Sequence, residues 1–327
     1  MNPSLPGPRK HEVPKTHEDF LYKKLFVYLR VFVPSWSLLI AVLIGAGVAT
    51  TVGDAADDRS TVAERVMKLT RESSWKPAGA VRIRFRTWHP QGLVKIGRTL
   101  FVSSVEVRSR DRGEGVGHLF KIDMTGALIA DLTLAEGAIY HPGGIDYDGH
   151  FIWVPLAEYR PDSRSIVYRV DPESMKATEV LRFADHLGAI VHDTDDDALH
   201  GLSWGSRRFY RWSLGHERDA PTAANNPSHY IDYQDCKYAG NRRMLCTGVA
   251  EIRQASRPRP FSLGGIEVID LAAGRPLHQV PLYLWTSSGV SMTRNPVWLE
   301  PTAAGLRGYF MPEDDTSTLY MYDVETN

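Results

Sequence analysis

Two stretches decide how this chain folds: His89–Glu106, HPQGLVKIGRTLFVSSVE, and His141–Glu158, HPGGIDYDGHFIWVPLAE. They share six identical positions (His, Pro, Gly, Gly, Val and Glu) at a constant offset of 52 residues. Each reads as two short apolar runs around a glycine, Gly97 or Gly149. That is the pattern of a strand, a tight turn and a returning strand. A second match, Gly137–His141 (GAIYH) with Gly188–His192 (GAIVH), has an offset of 51. A fixed spacing of this size is the mark of a repeat architecture.

The repeat continues as a strand that usually ends in Asp: Phe120–Asp123, Tyr168–Asp171, Tyr210–Ser213, Glu267–Asp270 and Tyr320–Asp323. Successive copies lie about 50 residues apart, the length of one four-stranded propeller blade. Residues 81–327 divided by five give about 49 residues each, whereas six blades would leave about 41. The first blade reads as strands near 89–96, 99–107, 117–123 and 128–134. The last blade runs out after Asp323, and Val81–Thr87 (VRIRFRT) alternates apolar residues with arginines, so it is expected to supply the missing outer strand. The expectation is an all-β, five-bladed β-propeller of four-stranded blades, closed by its N-terminal strand and preceded by an N-terminal hydrophobic helix. A β-sandwich is the alternative.

Residues 1–30 begin polar and proline-rich and read as a disordered cytoplasmic or leader segment. Residues 31–52 carry no charge and are long enough to span a bilayer. Lys23, Lys24 and Arg30 precede them, and Asp54, Asp57 and Asp58 come after. This asymmetry exports the downstream chain, through a transmembrane anchor or a signal peptide cut after small residues such as Gly47-Val48-Ala49. A buried core helix is the bland reading of the same residues. Residues 53–80 read as a linker, within which Thr61–Thr70 can form a short amphipathic helix. Residues 81–327 form the propeller domain. The expected location is extracytoplasmic, periplasmic or at the cell surface.

The chain's 38 Lys+Arg against 39 Asp+Glu give a net charge of −1. That argues against a nucleic-acid-binding protein driven by a basic surface. Hydrophobic residues at 43% and charged ones at 24% describe an ordinary globular chain. The two cysteines, Cys236 and Cys246, flank the turn Ala239-Gly240-Asn241. Antiparallel pairing about that turn sets them opposite, and an exported domain permits a disulfide; two buried thiols are the alternative.

The chemistry is expected at one mouth of the central channel. If His-Pro-x-Gly starts each inner strand, His89 faces Glu106 and His141 faces Glu158, with His192 and Asp193 equivalent in the third blade. Tyr233-Gln234-Asp235 and Arg294-Asn295-Pro296 occupy the matching stretches of blades four and five. Glu251, Glu313 and Asp315 end the corresponding second strands, and alignment of Pro312 with Pro155 selects Asp315. Imidazoles with carboxylates suit a divalent metal (Ca, Zn or Mn) and metal-activated water. On that reading His89, His141 and His192 are ligands, Glu106 and Glu158 are ligands or bases, and Asp193 orients them. The reaction is hydrolysis of a small ester, lactone or phosphoester. The competing reading makes these side chains loop fasteners in a monomeric module that binds a small-molecule or envelope ligand. Asp193–Asp197 (DTDDD) lacks the glycine of a calcium loop and reads as a hairpin turn. Tyr159-Arg160 and Arg207-Arg208 can greet an anion, though such arginines commonly pair with surface carboxylates. Trp88, Trp153, Trp204, Trp212 and Trp298 read as blade packing.

The runs HPQGLVKIG, HPGGIDYDGHFIWVPLAEYRPDSRSIVYRVDP, HDTDDDALHGLSWGSRRFYRW and NPVWLEP resemble an uncharacterised bacterial family of exported, propeller-like domains of unknown function. The resemblance covers about residues 80–327 and implies fold and export. QGLVKIGRTLFVSS and HLFKIDMTGALIADLTL are similar to the opening blade of plant-type glutaminyl cyclotransferases, which are five-bladed propellers. Val102 stands where that family's pattern places its catalytic Glu. The resemblance therefore supports five blades and speaks against cyclisation chemistry.

Overall fold

The second strand of a blade can be buried on both faces because each blade is sandwiched between two others. In the computed structural model, which describes residues 52–253, 255 and 260–326, the strand Ile152–Glu158 is buried at all seven positions. After helix α1 (Val52–Val66) and strand β1 (Trp75–Arg82), blade one comprises β2 (His89–Ile96), β3 (Thr99–Ser109), β4 (Glu114–Asp123) and β5 (Leu128–Leu134). Blade two has a divided inner strand, β6 (Ile139–Pro142) and β7 (Asp146–Tyr147), then β8 (Ile152–Glu158), β9 (Ser165–Val170) and β10 (Ala177–Phe183). Blade three holds β11 (Ala189–Asp193), β12 (Ala198–Leu202), β13 (Arg208–Ser213) and β14 (Thr222–Asn225). Blade four holds β15 (Asp232–Tyr238), β16 (Arg243–Ile252), β17 (Phe261–Asp270) and β18 (Arg275–Leu282). Blade five is β19 (Val297–Pro301), β20 (Gly305–Phe310), β21 (Thr318–Glu325) and, outermost, β1. This is an all-β five-bladed propeller with four-stranded blades.

Five separate hydrophobic clusters fill the five spaces between adjacent blades. The aspartates that end the third strands have a local reason to be there. Asp123, Asp171 and Asp270 each accept backbone N–H groups of the adjoining turn, at Thr125, Glu173 and Ala272. Gly97 and Gly149 adopt φ of 56° and 103° in the inner hairpins.

The ring closes through the N-terminal strand, as expected, but six residues earlier. β1 pairs antiparallel with β21 from Trp75↔Val324 to Arg82↔Thr318. Val81–Thr87 is therefore mostly not the closing strand. Its alternation serves another purpose: Ile83 and Phe85 wedge between blades five and one, against Leu93, Phe120, Tyr309 and Leu319. The chain needs those residues to cross from the rim to the start of β2. Residues 53–80, expected as a linker, hold α1 and β1 instead. Helix α1 starts before Thr61 and buries Ala63 and Val66, together with Leu69 beyond its end, against Leu245, Ile266, Leu299 and Leu306. The Arg65 guanidinium donates to the carbonyls of Thr302 and Gly305, pinning the helix to blade five.

Cys236 and Cys246 form a disulfide across the β15–β16 hairpin, with Cα atoms 4.1 Å apart. A disulfide is consistent with an extracytoplasmic location. The uncharged stretch 31–52 and the hydrophobic helix expected there lie outside the described residues apart from Val52. Among the described residues no helix is long and apolar enough to cross a membrane.

Candidate functional site

The inner strands approach the axis so closely that side chains are excluded from part of it. A Cβ at Gly92 would lie 2.6 Å from the Ile145 nitrogen, and one at Gly144 would lie 2.9 Å from the Gln234 oxygen and the Asp235 Cα. This is the physical role of the glycine in His-Pro-x-Gly. The axis itself is plugged by Asp235 and Lys237 from blade four. Asp235 accepts N–H groups of Leu93 (3.0 Å) and Ile145 (3.2 Å), and Lys237 donates to Asp235 and to the Ile145 carbonyl. Burial pushes the Asp235 carboxyl up to about 6, with Lys237 and the two backbone donors pulling the other way. The channel is thereby divided into an entry mouth, where the inner strands begin, and an exit mouth, where they end.

A cavity of about 330 Å³ at the entry mouth is lined by residues of all five blades. Blade one contributes His89 and Gln91, blade two His141 and Tyr159, the approach to blade three His186, and the turn between β12 and β13 Trp204. Gln234 and Glu251 come from blade four, and Arg294 and Asn295 precede the inner strand of blade five. His89 Nδ1 lies 2.7 Å from Asp314 Oδ1, which also accepts the Asn295 amide at 3.0 Å. Arg294 donates to Asp314 Oδ2 at 3.0 Å. Burial raises the Asp314 carboxyl, but His89, Arg294 and Asn295 outweigh it and hold it at about 2. Asp314 is therefore a carboxylate at any ordinary pH, and His89 presents Nε2 to the cavity.

His141 is different. It is buried, stacks on Tyr159 with ring centroids 4.1 Å apart, and both of its ring nitrogens lack a partner among the described residues. Burial, then the neighbouring His186 and His89, hold it well below its usual value, so it is neutral. His186 lies 5.7 Å from His141, centroid to centroid. Its Nδ1 sits 2.9 Å from the Glu158 carbonyl oxygen, so Nδ1–H donates, and the Arg160 backbone also acts on the ring. Burial lowers its pKa as well. Arg110 covers the outer face of Tyr159 at 4.2 Å.

Several expected members of the site lie elsewhere. Val105, not Glu106, stands opposite His89, and Ala157, not Glu158, stands opposite His141. The cause is a bulge in each inner strand, at Pro90/Gly92 and Ile139/His141, and one residue of slip turns a side chain to the other face. Glu106 pairs with Arg108 at 2.9 Å. Glu158 is clamped by Arg160 and Arg164, both at 2.6 Å. Asp315 binds Arg86 at 2.7 Å, and Asp314, one residue earlier, takes the place at the mouth.

His192 and Asp193 end β11 and belong to the exit side. His192 bonds Asp148 at 2.9 Å and Asp197 at 3.3 Å, and these carboxylates raise its pKa against the opposing effect of burial. Asp193 Oδ1 caps the turn of DTDDD through the N–H groups of Asp195 and Asp196. The set His89, His141 and His192 is thus not brought together, and among the described residues no three His, Cys, Asp or Glu side chains form a metal-ligand cluster. These residues do not fit the expected divalent metal.

The histidine that takes the third position is His186. The signal was present as His-x-x-[Gly/Ala]-[Leu/Ile] at 89, 141 and 186. The GAIVH match hid it by pairing His192 with the wrong strand end, whereas the structure sets Ala189 beside Gly144. Arg207 and Arg208 are spent on Asp232 (2.8 Å) and Asp185 (3.1 Å).

A ring of five four-stranded blades with a histidine-lined entry mouth defines the class, a small β-propeller with a candidate site on its axis. The chain belongs to the Family of unknown function (DUF6454), whose model matches residues 52–326. No curated protein matches it. Among solved structures it is similar to the glutaminyl cyclase of Myxococcus xanthus, at 12% identity and a TM-score of 0.51, covering 78% of this chain and 99% of that one. It is also similar to a hypothetical protein from Leishmania major, at 11% identity and a TM-score of 0.50, covering 76% and 90%. At these identities the likeness is one of fold. Val102 is fully buried among Leu93, Leu100 and Phe120, so its position offers no acid to a ligand.

Proposed function

We propose that the entry mouth binds a small uncharged ester or lactone and that His89 acts on it as a general base. The observation that carries this reading is the His89–Asp314 pair. Asp314 holds the Nδ1 proton, which leaves Nε2 free to accept a proton from water as the water attacks a carbonyl carbon. The same nitrogen then returns the proton to the departing alkoxide. Neutral His141 and His186 line the mouth, and His141 offers ring nitrogens to the polar atoms of the ligand. They supply no countercharge, which favours an uncharged ester or lactone over a phosphoester.

A second reading, a binding module without turnover, is favoured by the unpartnered nitrogens of His141, which a ligand would satisfy. In either case we place the domain outside the cytoplasm as a monomer, anchored or secreted, with a small molecule of the cell envelope as its ligand. The disulfide and the charge asymmetry around residues 31–52 support that placement.

The test is turnover of p-nitrophenyl acetate, γ-butyrolactone and bis-p-nitrophenyl phosphate by the full chain. His89→Ala should lose about 10²- to 10⁴-fold with little change in melting temperature. A lowered melting temperature in His89→Ala, with no turnover by the wild type, would make these residues fasteners between blades five and one. Turnover that appears only with added Ca²⁺, Zn²⁺ or Mn²⁺ would restore the metal reading in place of this one.

A further inference from the structure

The exit mouth carries a second cavity, of about 420 Å³, roofed by α1 and floored by the Lys237–Asp235 plug. It is more apolar than the entry mouth. Val62 of α1, Leu245 and Trp298 form its greasy wall, and Tyr147 and Lys237 reach it from the ends of two inner strands. It is also built rather than incidental. The C-terminal half of α1 is fixed by Ala63, Val66 and the Arg65 bonds, so that Arg59 and Val62 overhang the channel.

The charges around this cavity are not equivalent. Lys95 is held by Glu300 at 2.6 Å, and Lys237 is held by Asp235 and the Ile145 carbonyl. Asp148 is spent on His192, Trp153 and two backbone N–H groups. Arg59 stands beside Gly149, 3.4 Å from where a Cβ would be, and its charge acts on Asp146 and Tyr147 without an ion pair to a described carboxylate. A guanidinium over an apolar, Trp-lined pocket is complementary to an anionic group on a flat apolar body. We propose that the exit mouth is a separate binding site for an amphipathic organic anion, an aryl or short alkyl carboxylate. The carboxylate meets Arg59 and the apolar body lies against Trp298 and Val62.

The probe is 4-(trifluoromethyl)phenylacetate, titrated into the full chain and followed by fluorine NMR line broadening. Binding is expected for the carboxylate and about tenfold weaker for the matching neutral amide. Arg59→Ala should weaken it about tenfold, Arg59→Lys should retain most of it, and Val62→Trp should fill the cavity and abolish it. Circular dichroism shows whether each variant keeps α1. His89→Ala, at the other mouth, should leave this binding unchanged, so failure of the entry-mouth reading and failure here are told apart. Equal affinity for carboxylate and amide would overturn the proposal, as would wild-type binding in both Arg59→Ala and Val62→Trp. Binding that appears only after residues 1–50 are removed would overturn it too, because the chain's own N-terminal segment would then be the occupant.

Discussion

Removing the ammonium that plugs the axis, by Lys237→Met, should destabilise the ring in a way that depends on pH. Asp235 has no exposed side-chain surface, and its folded pKa of about 6 exceeds the ordinary 3.8. Between those values the native protein holds a proton that the unfolded chain has released, so stability falls as pH rises through the window. At 1.36 kcal/mol per unit the deficit at neutral pH is about 3 kcal/mol, already softened by Lys237. Without Lys237 the carboxyl rises further and the window extends upward. The variant should lose about 3–5 kcal/mol near pH 7.5, the usual cost of breaking a buried pair. Near pH 5 Asp235 is largely protonated in either protein, and the loss should shrink to about 1 kcal/mol. Urea unfolding followed by tryptophan fluorescence at both pH values, with unchanged denaturant slopes, reads the difference. An equal loss at the two values would refute the reasoning, because the residue would then matter for its packing and not its charge.

His141→Phe should be neutral or up to about 1 kcal/mol stabilising, since it removes two orphaned nitrogens and keeps the stack on Tyr159, while activity or ligand binding is lost; a large fall in melting temperature would show that His141 is structural. Reduction of Cys236–Cys246, which closes a separation of 10 residues, should cost about 2–3 kcal/mol; an unchanged melting temperature in reductant would contradict this. Gly143→Ala sets a methyl 2.1 Å from the Gly188 oxygen and should cost about 3 kcal/mol or more, and wild-type stability would mean that blades two and three separate freely at the axis.

The ring was legible in the sequence because each blade repeats the same local demands. A glycine is needed where inner strands touch, a left-handed turn at Gly97 and Gly149, and an Asp to cap the third strand at 123, 171 and 270. The positions of His89, His141, Gln234, Glu251, Arg294 and Asn295 at one mouth come from the same register. The carboxylates were not legible, because the bulges at Pro90 and His141 shift pairing by one residue and leave no mark in an offset of 52. Asp314 meets His89 across the boundary between blades five and one, so no spacing within a repeat points to it. Period-2 alternation in Val81–Thr87 describes a strand and an inter-blade wedge equally well, and only the length needed to cross from rim to axis separates them.

The seam in blade five has a consequence for how the molecule is made. Lys76 and Glu325 bond across it at a sequence separation of 249 residues, so β1 waits for β21 to be synthesised. Until then β1 has no partner and the ring stays open. Contacts this distant in sequence slow folding. A product cut short before Thr318 would expose two unpaired strand edges, along β1 and β20, and edges of that kind template aggregation. Strand β21 thus acts as a check on ring closure, since without it β1 and β20 keep their edges unpaired.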